Sequence, residues 1–206
     1  MKKPVLEVGT SIFPSAHLVD PSVPFVAVDS RMGESLGDYE IRKLKSFGVT
    51  DVSSFPNIGK YVAKLIGRHR SDFGLIKANA ANLPFRDKAM SQTHCSHMLH
   101  RFYALDREKF RKMVREIARV TDEKIVITQP TYEYSGNPAL QLGPRNGAKL
   151  LENLKKAYRY HLEKAGFNVQ IYSGWNFDKK EQETYPQPRP RSATKPKGFI
   201  LIATKK

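Results

Sequence analysis

An apolar run that ends in an acid and a glycine, Val5-Leu6-Glu7-Val8-Gly9, constrains this chain more than any other feature. A second apolar run, Phe25-Val26-Ala27-Val28, closes on Asp29 about twenty residues after Gly9. The pair reads as the opening of a nucleotide-binding βαβ unit. Glycine lets backbone approach a ligand, and the second acid is placed to accept hydrogen bonds from ribose hydroxyls. Parallel strands need crossover connections, so the rest of the chain has to alternate strand and helix.

It does so. After the strands at 5–8 and 25–28, residues 75–78 read as a third strand and 89–94 as a more polar fourth. Asp106 is an N-cap for a helix whose Phe110, Met113, Val114, Ile117 and Ala118 recur at helical spacing. Residues 124–128 form a fifth strand. A long helix then covers 146–165, with Leu150, Leu151, Leu154, Ala157, Tyr158, Leu162 and Ala165 as its apolar stripe and Gly166 as its stop. Residues 167–172 and 199–203 are two closing strands that suggest a hairpin edge.

Two connections are long. Residues 30–74 carry two amphipathic stretches, 39–47 and 58–69; one supplies the crossover helix, and the other is surplus, a lid or a substrate wall. Residues 173–198 include Pro186-Gln187-Pro188-Arg189-Pro190-Arg191 and read as a basic, proline-rich loop.

The chain carries 35 Lys and Arg against 20 Asp and Glu, a net charge of +15, which favours polyanionic partners, nucleic acid above all. The basic residues spread over several predicted helix faces, so charge alone names no groove. No apolar run approaches the roughly 20 residues that cross a bilayer, and no secretory segment is evident. The lone Cys95 cannot form an intrachain disulfide, which fits a reducing, cytoplasmic setting.

In order and spacing, these pieces resemble a class I S-adenosylmethionine-dependent methyltransferase of the type 11-like kind. Ala78-Asn79-Ala80-Ala81-Asn82-Leu83-Pro84-Phe85 is similar to the family's Gly-Asp-Ala-Glu-x-Leu-Pro-Phe after the third strand. Ser91 to His100 is similar to the fourth strand and its exit loop, and Arg115-Glu116-Ile117-Ala118-Arg119-Val120 to the helix that follows. The resemblance implies one Rossmann-like α/β domain over 1–206: a seven-stranded, mostly parallel sheet, the last strand antiparallel at its edge, helices on both faces. It implies S-adenosylmethionine as cofactor, with Glu7, Gly9 and Ser11 under its methionine end and Asp29 on its ribose. Asn79 and Ala80 then edge the adenine, and Cys95 and Ser96 line the passage to the methyl group. Three positions depart from the pattern. Ser11 replaces the second glycine, Asn79 an aspartate that can still offer a carbonyl oxygen to an adenine amine, and Ser91 another aspartate. These substitutions keep open a non-catalytic relic of the fold that acts as a binding protein.

Other chemistries are weaker. His94, Cys95, His97 and His100 fall within seven residues, yet neighbours on a strand point to opposite faces, and no second ligand pair follows; no metal site is expected. His97 or His100 is instead a candidate general base. A dinucleotide oxidoreductase would want Gly-x-Gly-x-x-Gly, and neither a phosphate-binding loop nor a nucleophile elbow is present. The acceptor stays open between a small molecule, which Leu83-Pro84-Phe85 favours slightly, and RNA, which the charge favours.

Overall fold

Val5–Val8 (β1) is buried at all four positions. A strand apolar on both sides belongs in the middle of a parallel sheet, covered on both faces. The computed structural model places it there, and describes residues 2–9, 19–20, 22–37, 41, 57–68, 70–96, 98–129, 144–173 and 198–206. The other strands are Phe25–Val28 (β2), Phe73–Ile76 (β3), Met90–Ser96 (β4), Thr121–Gln129 (β5), Phe167–Ser173 (β6) and Phe199–Lys205 (β7). They form one sheet in the order β3-β2-β1-β4-β5-β7-β6. The first five run parallel, and β7 pairs antiparallel with both β5 and β6.

One expectation is corrected here. The last strand is antiparallel, but it is inserted between β5 and β6, and β6 forms the edge. The physical reason is burial: Phe199 to Ala203 are each buried, whereas β6 alternates with exposed polar residues. A fully apolar strand takes the inner position.

Among the described residues, four helices flank the sheet: Ile58–Gly67 (α1), Leu99–Leu105 (α2), Arg107–Val120 (α3) and Pro144–Lys164 (α4). On one face, α1 packs Ile58, Val62 and Ile66 against Val5, Phe25 and Ala27. On the other, α2, α3 and α4 bury Leu99, Tyr103, Phe110, Ile117, Leu154 and Tyr158 against Leu6, Val8, Val28 and Leu201. Helix α1, capped by the Asn57 side chain, is therefore the crossover within 30–74. The other amphipathic stretch, 39–47, lies outside the described residues apart from Ile41, and the proline-rich segment lies outside them over 174–197.

Asp106 caps α3 as its residue type predicts, accepting from Lys109 N at 2.9 Å. Gly166 stops α4 with φ +85°, a conformation glycine adopts without strain. Several boundaries moved. β3 begins two residues earlier than expected, where Gly74 weakens its strand signal. β4 runs on through Cys95 and Ser96, and β5 begins at Thr121. No described helix is long and apolar enough to cross a membrane.

A candidate cofactor cavity at the strand carboxyl ends

In an open parallel sheet, ligands gather beyond the carboxyl ends of the strands, where the order reverses. Here β1 leads out to β2 and β3 on one side and to β4 on the other, so the reversal falls beside β1. A cavity of about 130 Å³ lies at that point. Val8 and Gly9 reach it from β1, Asp29 and Ser30 from the end of β2, and Ala78, Asn79 and Ala80 from the loop after β3. Met98, Phe102, Lys109 and Met113 close the remaining wall from α2 and α3.

Each side chain is positioned locally. Gly9 donates its N–H to Val28 O at 2.8 Å and takes φ +75°. A Cβ at that position would meet Met98 Sδ at 2.6 Å, so a side chain would both strain the backbone and fill the cavity. The Asp29 N–H extends the ladder to Ile76 O at 3.2 Å, while its Oδ1 accepts from Arg31 N at 2.8 Å. The turn thus orients the carboxylate. Asn79 closes a tight turn: its Oδ1 accepts from Ala81 N at 3.0 Å and its carbonyl from Asn82 N at 2.9 Å.

Behind this turn lies a charged clamp. Arg119 donates to Glu116 and Asp87, at 2.8 Å each, and to the carbonyls of Phe85 at 2.8 Å and Leu83 at 3.1 Å. Glu116 Oε2 in turn accepts from Leu83 N at 2.8 Å. Arg119 therefore holds the Glu116 carboxyl below the usual carboxylate range, and Glu116 raises Arg119 further. The Leu83-Pro84-Phe85 segment is pinned to α3 by its backbone.

Of the residues singled out from sequence, Gly9, Asp29, Asn79 and Ala80 come together around the cavity. Glu7 and Cys95 do not line it. Glu7 is 1 % exposed and stands opposite His94 across β1 and β4. Cys95 is buried in the core, where burial first and Glu7 second push its thiol well above the ordinary range, an inert setting for a thiol. Ser96 ends β4 and His100 lies in the first turn of α2, with their side chains outside what is described, as are Ser11 and His97 altogether. No group of three His, Cys, Asp or Glu side chains comes together as a metal site among the described residues.

The same architecture recurs in solved structures. The magnesium protoporphyrin IX methyltransferase of Synechocystis PCC 6803, solved with bound S-adenosylmethionine, aligns over 100% of this chain and 71% of its own, at 12% identity and TM-score 0.52. A 16S rRNA (adenine(1408)-N(1))-methyltransferase from Catenulisporales acidiphilia aligns over 98% and 87%, at 12% identity and TM-score 0.53. An S-adenosylmethionine-dependent methyltransferase from Methanosarcina mazei aligns over 100% and 94%, at 13% identity and TM-score 0.51. The chain has a class I methyltransferase fold. No protein-family model and no curated relative matches the sequence.

The methyltransferase fold also explains what sequence reading missed. Lys109 and Met113 reach the cavity from α3, whereas Met98 and Phe102 line it from α2 and its N-cap, Met98 lying against Gly9, and α2 was not anticipated. Its signal was present in Leu99 and Tyr103, buried one turn apart, but seven residues with no side-chain N-cap hydrogen bond give little periodicity. Lys109, read as one charge among several on α3, in fact has its Nζ 4.9 Å from the Phe102 ring at the cavity wall.

Proposed function

We propose that this protein binds S-adenosylmethionine in the carboxyl-end cavity and transfers its methyl group to an acceptor. One observation carries the reading: Gly9, Asp29, Asn79 and Ala80, from the ends of three separate strands, line one cavity at the switch point of a methyltransferase fold. The residues fit the adenosyl part of such a ligand. The Asp29 carboxylate would accept from the ribose hydroxyls, the Asn79 amide and Ala80 backbone would edge the adenine, and Gly9 keeps the floor open. Met98, Phe102 and Met113 supply the apolar wall that a flat heterocycle requires.

When bound, S-adenosylmethionine supplies a methyl group already activated on a sulfonium. What the protein adds is alignment of the acceptor and exclusion of water. His97 and His100, following β4, are the candidates to take a proton from a hydroxyl or amine acceptor. The small-molecule preference carried by Leu83-Pro84-Phe85 loses force, because Arg119 and Glu116 engage that segment through its backbone on the side of α3. It orients the adenine edge and says little about the acceptor.

Equilibrium dialysis with radiolabelled S-adenosylmethionine tests this reading. Displacement by S-adenosylhomocysteine but not by NAD is the expected result. Displacement by NAD alone would move the chain to dinucleotide chemistry, and no retention of label would leave the non-catalytic binding protein.

A further inference from the structure

The fold gathers charge that the sequence scatters. α3 and α4 pack side by side, Phe110 meeting Tyr158 at 5.2 Å and His161 at 6.4 Å between ring centroids. Together they carry twelve Lys and Arg but four Glu. Those four acids are committed elsewhere on the two helices: Glu108 to Lys112, Glu116 to Arg119, Glu152 to Lys155 and Glu163 to Arg159. Arg111, Arg115 and Lys164 are exposed and have no ion-pair partner among the described residues. Arg111 and Arg115 lie at i,i+4 on α3 beside Phe110, whose ring is 6.4 Å from that of His161, and Lys164 follows His161 by one turn of α4. The imidazole is held below its ordinary value by burial first and then by Arg115, Arg111 and Lys164.

We propose that this groove between α3 and α4 is a docking surface for the phosphodiester backbone of a single-stranded nucleic acid. A solvated helix face normally interleaves both signs at i,i+4, so that neighbours attract. Here Arg111 and Arg115 repeat one sign at i,i+4 on α3, an arrangement that an added polyanion relieves. Arginine forks match phosphate oxygens in pairs, and among the described residues Arg111 donates from its Nε alone, to Arg107 O at 3.2 Å. Tyr160, 60 % exposed beside His161 at 5.1 Å between centroids, offers a ring on which a base can stack. A lipid surface would want several apolar side chains at such a site, and among the described residues of α3 and α4 Tyr160 is the one large apolar side chain that is exposed. The assignment rests on charge and geometry, and it holds whether or not methyl transfer occurs.

Fluorescence anisotropy of the full chain with labelled strands of about 20 nucleotides, RNA and DNA of one sequence, tests it across roughly 50 to 200 mM salt. The triple variant Arg111→Glu, Arg115→Glu, Lys164→Glu is expected to weaken binding at least about tenfold. It should also flatten the log–log salt slope by about 2, near 0.7 for each phosphate contact removed. A control triple of equal charge change, Lys60→Glu, Arg68→Glu, Lys206→Glu, is expected to stay within about twofold. The Gln triple at positions 111, 115 and 164 provides a milder version should charge reversal prevent folding, with a smaller loss of the same sign. Either strand showing this dependence supports the groove, and a preference for RNA names the sugar. Equal losses in the two Glu triples would show diffuse attraction to a basic protein and overturn the proposal. So would tighter binding to vesicles of about 30 % anionic lipid through the same three residues.

Discussion

Two cavities sit at opposite ends of the sheet, and the larger one is not the candidate cofactor site. The amino-end cavity, about 360 Å³, is lined by Lys2, Lys3, Asp20, Ser91, Gln92 and Lys124 among others, long polar side chains around the starts of β1 and β4. The carboxyl-end cavity is about 130 Å³, yet it is built. Its floor is a glycine at φ +75°, its acid is oriented by a turn, and the segment that follows Ala80 is clamped to α3 through Glu116 and Arg119. The difference teaches that size does not mark a site. On the proposed reading, fixed backbone geometry at the point where strand order reverses does.

The comparison can be broken from either end. The largest expected effect is at Gly9. Gly9→Ala forces a left-handed conformation on an L-residue and presses on Met98, so affinity for S-adenosylhomocysteine should fall about 100-fold, roughly 2.7 kcal/mol, with a lowered melting temperature. Calorimetric titration beside a thermal melt measures both, and full binding by this variant would mean that the cavity is not the site. Next in size, Asp29→Ala should remove charge-assisted bonds to the ribose and weaken binding at least about tenfold, near 1.4 kcal/mol, while leaving the melt nearly unchanged.

The clamp should matter more for stability than for binding. Arg119→Ala leaves the Leu83 and Phe85 carbonyls and the Glu116 carboxylate short of partners, at a cost of roughly 2–3 kcal/mol in denaturant unfolding. Binding should weaken only a few-fold, because Asn79 is displaced and not removed. The pH dependence has a definite sign. Glu116 is held below its usual range, so its contribution is complete above the ordinary carboxylate pKa of about 4.3 and is lost as pH falls through the lower folded value. Wild type should therefore lose more stability than Glu116→Gln in that acid window, and parallel curves would place the clamp outside the stability of the fold. The smallest effect belongs to the other cavity. Lys2→Ala with Gln92→Ala should change affinity less than about twofold, and a tenfold loss would reverse the ranking of the two ends.

How much of this was legible depended on how local the cause was. The strands of the buried sheet announce themselves as apolar runs, and Asp106 and Gly166 mark helix ends by residue type alone. Gly9 and Asp29 were legible because a turn at a strand end imposes residue type on single positions. What stayed hidden depends on packing between distant segments. Cys95 is expected from the resemblance to line the passage to the methyl group, yet the pleat turns it into the core. Lys109 looks like any surface charge until α2 places Phe102 beside it. The inner position of β7 follows from which of two late strands is more apolar, a comparison that no single motif contains. Most telling is the charge: Arg111 and Arg115 lie 53 and 49 residues before Lys164, and only the packing of α3 on α4, Phe110 against Tyr158 and His161, brings their helices together.

Isothermal titration of the unaltered protein and of Asp29→Ala with S-adenosylhomocysteine tests the central claim most directly. The account predicts a saturable heat at one site per chain in the unaltered protein, weakened at least about tenfold in Asp29→Ala. No saturable heat up to about millimolar ligand, or equal affinity in the two proteins, would contradict it.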